Sequence, residues 1–211
     1  MVIHYLQKEG MMIANHIHDA LNQVRKLQEF ILEKRFFRGY SGPARMAGGF
    51  VAVAGAFVMS RSIFPSTPLA HLVGWGSVLF SALLLNYGAL IWWFLFSSQA
   101  KRELLRAMPV VDAIPALAVG AVFSLAMILG KHYEMLFGTW MCLYGLAHVS
   151  YRLSLPAANY AVGVFYIACG SACLLLQVPF TDPWPMGFTF FAGEISGGLV
   201  LHRNNIQTGE N

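Results

Sequence analysis

Glu194 stands in an apolar run, Phe190-Phe191-Ala192-Gly193-Glu194-Ile195-Ser196-Gly197-Gly198. It lies about nine residues from both Pro185 and Arg203, which at about 1.5 Å per residue puts it near the middle of a membrane-spanning helix. Burial at such depth disfavours the ionised form of a carboxyl. Two readings follow. In one, Glu194 is a proton or cation site lining a cavity; in the other, it is a protonated carboxyl that holds helices together by a hydrogen bond. Gly193 with Gly197, and Glu194 with Gly198, set small residues four apart, where a neighbouring helix can approach closely, so Gly193, Gly197 and Gly198 are expected to pack helices.

Further polar residues fall within apolar stretches. Asn86 sits mid-way along one of them beside Tyr87 and Gly88, where interhelical hydrogen bonding is the ordinary explanation. Asp112 follows Pro109 in a first helical turn, a position the helix dipole favours for a carboxylate. His148, Tyr151 and Arg152 share one helix face by their spacing of three and four. A cluster of Asp112, His148 and Arg152 is geometrically allowed, and with Glu194 it would line a polar route from the cytoplasm to mid-membrane. His148 and Arg152 also have simpler readings, as a packed histidine and as an interfacial cation extending to the headgroups.

Several chemistries are disfavoured. Gly39-Tyr40-Ser41-Gly42 has the glycine-x-serine-glycine spacing of rhomboid intramembrane proteases, but this serine precedes the first apolar stretch. His16 and His18 are two apart on different helix faces, no metal site or cofactor is indicated, and no phosphate-binding glycine loop is present. Cys142, Cys169 and Cys173 all lie inside apolar stretches and read as small packing residues. An enzyme is the less favoured class.

The elements that must position these residues are membrane helices. Charged residues make up 11% of the chain and hydrophobic ones 57%, too little charge to cover a water-soluble domain of 211 residues. Apolar runs place spans at about 44–64, 69–97, 108–130, 133–150, 155–177 and 185–202. Runs of this length are helices rather than barrel strands, so the fold is predicted to be an all-α, polytopic membrane bundle of about six transmembrane helices. The cations separate cleanly. Lys8, Arg25, Lys26, Lys34, Arg35, Arg38, Arg45, Lys101, Arg102, Arg106, Arg152 and Arg203 fall on one side, and Arg61 and Lys131 on the other. This places both termini in the cytoplasm of a cell whose cytoplasmic membrane holds the bundle.

Residues 1–43 precede the first span as a cytoplasmic amphipathic segment, and residues 203–211 form a short tail expected to be disordered. Within the first segment a helix is predicted from about Met11 to Arg38. Ile13, Ile17, Ala20, Val24, Leu27 and Ile31 make a heptad seam that needs a partner: another copy of the chain, a membrane surface, or a different protein. The net charge of +4 is concentrated on the cytoplasmic side, which favours anionic lipid over nucleic acid as the partner. Two functions fit these features best. One is a channel or transporter for an ion or small solute built around Glu194 and Asn86; the other is a sensory, regulatory or assembly subunit of a membrane complex, homo-oligomeric or bound to a partner through its N-terminal helix.

Overall fold

The computed structural model describes residues 18–19, 21–27, 41–96, 108–150 and 156–207. The chain divides into two compact units, Met1–Phe36 and Phe37–Asn211. In the first, residues 18–19 and 21–27 are helical, and Leu21, Val24 and Leu27 are exposed. Ile13, Ile17, Ala20 and Ile31 of the expected seam lie outside the described residues.

The second unit contains α1 (Gly42–Met59), α2 (Pro68–Phe96), α3 (Met108–Leu129), α4 (Met135–Ser150), α5 (Ala158–Leu175) and α6 (Trp184–Gln207). The described residues contain no strand, so the fold is all-α. Among them, α1, α2 and α5 are long and apolar enough to cross a bilayer, and Leu117–Leu129 of α3 is a shorter apolar stretch. These features support a membrane protein with transmembrane helices.

Local chemistry sets the helix ends. Ser41 caps α1 by accepting from the Ala44 amide at 3.3 Å, and Pro43 occupies the first turn, where its missing N–H costs nothing. The serine of the protease-like spacing is therefore a helix cap. α1 stops at Met59, short of the expected 64, because Ser60 bonds back to Ala56 and Phe57 and the chain turns through Arg61 to Phe64. α3 and α5 end alike: Lys131 (φ 60°) and Gln177 (φ 49°) take the left-handed conformation, and the following amides of His132 and Val178 bond back to Met127 and Cys173. α6 runs through Gln207, so residues 203–207, expected as tail, are helical. Nothing between Leu201 and Gln207 breaks a helix.

The helices lie side by side in the order α2, α1, α6, α5, α4, α3. The two most extensive contacts join α1 to α6 and α4 to α5, both antiparallel. Close approach of backbones makes them extensive. A Cβ added at Gly145 would stand 2.6 Å from the Gly163 carbonyl oxygen, and one at Gly138 would stand 2.6 Å from that of Gly170. A Cβ added at Gly42 would stand at the same 2.6 Å from the Gly198 carbonyl oxygen on the α1–α6 pair. Without a hydrophobic force between helices in lipid, such contacts supply association through dispersion and polar bonding. α2 and α3 end the row, and among the described residues they share no extensive contact; the space between them leads inward to α1, α4 and α6.

Candidate functional site

Arg45 enters this site from the second turn of α1. The buried face of α1 is Arg45, Gly48, Gly49, Ala52, Ala56 and Met59, a stripe of small residues along which α6 packs. On α6, Gly197 has no side chain where the Arg45 guanidinium lies, and Gly193 has none where the Tyr166 ring lies. Small residues on one helix thus admit large polar groups from its neighbours.

The groups that meet there form one network. Arg45 Nε donates to Glu194 Oε2 at 2.9 Å, and Nη2 makes a longer contact of 3.4 Å with Oε1. Arg45 Nη1 donates to Asn159 Oδ1 at 3.0 Å. Glu194 Oε1 also accepts from the hydroxyls of Tyr166 at 2.8 Å and Tyr144 at 3.0 Å. His148 Nδ1 lies 2.8 Å from the Tyr144 carbonyl oxygen, which can only accept, so Nδ1 carries the proton. Its Nε2 lone pair then accepts from Arg45 Nη2 at 2.6 Å, which makes the imidazole neutral. Arg45, His148, Asn159, Tyr166 and Glu194 are all more than nine-tenths buried.

Four helices contribute: α1 Arg45, α4 Tyr144 and His148, α5 Asn159 and Tyr166, and α6 Glu194. The charges cancel within the cluster. That matters because an unpaired ion in a low-dielectric interior costs several kcal/mol, a penalty offset only by a good ion pair whose remaining valences are also met. Glu194 meets this condition with four donor contacts. Asn159 does not: its Nδ2 is buried without an acceptor.

The cluster forms one end of a cavity of about 480 Å³. Arg45, Glu194, Tyr144 and His148 border it there, while the walls are mostly apolar side chains such as Leu79, Leu83, Leu117 and Leu143. At the far end Trp75, Phe137 and Phe180 close it, with Trp75 edge-on to Phe137 (5.6 Å) and Phe137 against Phe180 (4.8 Å). Beyond this aromatic group lies a second cavity of about 530 Å³, bordered by Arg61, His71, Asp182 and Trp184 and by the proline-bearing connectors around Ser66 and Pro179.

Of the residues singled out from sequence, Glu194 and His148 come together, bridged by Arg45. Asn86 borders the cavity between α2 and α3, but its amide nitrogen donates to Ala82 of its own helix at 3.0 Å, not across helices. The side chains of Asp112 and Arg152 lie outside the described residues. Gly198 serves helix approach, against Gly42 and Met46 of α1, whereas Gly193 and Gly197 make room for Tyr166 and Arg45. Neither reading of Glu194 from the sequence included an ion-pair partner, and the structure supplies one in Arg45. Sequence reasoning counted Arg45 only as a cytoplasmic cation and passed over Asn159 and Tyr166. The signal was available: Arg45 is followed at three, four and seven residues by Gly48, Gly49 and Ala52, which marks a helix face turned to a close neighbour.

No known protein family, curated protein or solved structure matches the chain.

Proposed function

We propose that the chain is a six-span carrier of the cytoplasmic membrane that binds a small solute in the cavity between α2 and α3. One observation carries this reading: an apolar cavity of about 480 Å³, inside the range of about 300–1,000 Å³ usual for small-molecule sites, ends on a compact polar cluster. Of the two solute classes raised by the sequence, the geometry favours a small molecule over a bare cation. The oxygens of Glu194 are already engaged by Arg45, Tyr144 and Tyr166, so a metal ion would have to expel a guanidinium that cannot lose its charge. The six helices fall where the apolar runs do, the cation distribution favours both termini in the cytoplasm, and the cytoplasmic side favours anionic lipid. The aromatic group of Trp75, Phe137 and Phe180 then separates the solute cavity from an outer vestibule.

Tryptophan quenching by a terminally brominated decanol in nanodiscs tests the cavity, because Trp75 and Trp140 border it. Saturable quenching is expected in the native chain and its loss in Ala82→Trp and Ala147→Trp, which place an indole in the cavity away from the ion pair. Equal quenching in all three proteins would remove the solute site.

A second reading, a regulatory or assembly subunit, has its own observation. Val24 and Leu27, the described residues of the seam, are 51% and 58% exposed. Val24→Glu with Leu27→Glu should lower self-association in cross-linking while insertion persists; unchanged cross-linking assigns the seam to lipid or another protein.

A further inference from the structure

The ion pair at the cavity end is asymmetric in what it can give up. Arg45 keeps its charge under all ordinary conditions, whereas Glu194 can be neutralised by one proton. A cationic solute drawn to Glu194 would leave Arg45 buried without a counter-ion. A neutral polar solute cannot replace the carboxylate either. Only an anion can take the place of Glu194 on Arg45, and only if Glu194 is discharged as the anion arrives.

The surrounding groups direct that proton to Glu194. Facing it are Arg45 on α1, Tyr144 and His148 on α4, and Tyr166 on α5. A proton on His148 would set a second positive charge at the nitrogen that already accepts from Arg45 at 2.6 Å. α2 and α3 turn Asn86, Tyr87 and Ser124 to the cavity, and none of the three offers a carboxylate or an imidazole to take the proton. A protonated Glu194 keeps its tyrosine partners, because each hydroxyl can accept as well as donate. The cluster also has a donor to spare: Asn159 Nδ2 is buried without an acceptor, on the residue whose Oδ1 already touches Arg45.

We propose that the cavity takes a single-chain anionic amphiphile together with one proton, the anion pairing with Arg45 while the proton passes to Glu194. Proton and anion enter together, so Glu194 changes from carboxylate to carboxylic acid and the net charge of cluster and solute stays at zero. The proposal rests on the reading of the cavity as a solute site, and commits that site to one headgroup charge.

The test uses three probes with the same brominated decyl chain, carrying a sulfonate, a hydroxyl or a trimethylammonium group, with the full chain in phosphatidylcholine nanodiscs. The sulfonate stays ionised throughout, so any proton taken up on binding belongs to the protein. Its Kd should rise about tenfold per pH unit while Glu194 is ionised in the free protein, the slope of one bound proton. Glu194→Gln should bind the sulfonate tightly at every pH with a flat profile, and the ammonium probe should show no saturable site. A flat profile in the native chain, or ammonium binding as tight as sulfonate, overturns the proposal. If Glu194→Gln fails to fold, uptake of one proton per sulfonate by the native chain, read with a pH indicator in weak buffer, decides it in the same way. The decanol arm keeps the two readings apart: decanol binding without sulfonate binding defeats only the anion proposal, whereas failure of both defeats the solute cavity itself.

Discussion

Arg45→Met is the most demanding perturbation of this architecture, because methionine occupies much of the arginine stem's volume and removes only the charged fork. The guanidinium bonds to Glu194 at 2.9 Å, Asn159 at 3.0 Å and His148 at 2.6 Å disappear together. A carboxylate would then remain in the interior, held by two tyrosine hydroxyls alone. Breaking one partner out of a buried ion pair costs about 3–5 kcal/mol, most of it the uncompensated charge left behind. Adding Glu194→Leu removes that charge. Replacing a whole buried pair by apolar groups is commonly neutral or better, so the double variant should recover most of the loss. Unfolding in mixed detergent micelles, followed by tryptophan fluorescence, gives the three free energies of the cycle. A single-variant loss under about 1 kcal/mol, or a double variant as unstable as the two singles summed, would refute the assignment of a buried, desolvated pair.

Two further outcomes follow from the same contacts. Gly193→Ala and Gly197→Ala press a methyl into the Tyr166 ring and the Arg45 guanidinium, so each should destabilise by about 1–3 kcal/mol in the same unfolding assay. Gly76→Ala and Gly88→Ala, where an added Cβ meets open space, should be neutral or slightly stabilising, and equal effects at all four positions would contradict the packing described. Single cysteines at Ser66, Lys131 and Thr181 should be labelled from outside intact cells and those at Lys101 and Ser154 from inside; a protected Thr181 would break the six-span arrangement.

What the sequence shows and what it hides have different physical origins. Apolar runs locate helices because lipid forces every backbone group into internal hydrogen bonds, so the positions of α2, α3 and α4 follow from hydropathy alone. The end of α1 at Met59 is legible too, since Ser60, Arg61 and Ser62 are polar; the expected span runs past them only because Ile63 and Phe64 are apolar again. Glu194 and His148 attract notice because polar groups in lipid are costly. Arg45 escapes because a cation near the start of a span has an ordinary explanation in membrane topology. Its partner could not be read at all: α1 and α6 are the first and last helices of the bundle, and their adjacency rests on the lateral order of packing, which spacing along the chain does not encode.

That lateral order divides the bundle into a part that is bolted and a part that is not. Arg45, Tyr144, His148, Asn159, Tyr166 and Glu194 tie α1, α4, α5 and α6 together, and glycine contacts bring the α1–α6 and α4–α5 backbones close enough to fix the geometry. The outer helices are held more lightly. α2 rests on α1 through packing such as Val78 on Gly55 and reaches α4 through Trp75 and Phe137; α3 is joined to α4 by Trp140 Nε1 donating to Ser124 Oγ at 2.8 Å. Displacing α2 or α3 therefore breaks none of the cluster bonds described, whereas separating any of the inner four would. It follows that substitutions at the α2–α1 and α3–α4 contacts, Val78 or Ser124 for example, should change how fast a solute enters and leaves the cavity, while those in the cluster should change how tightly it is held.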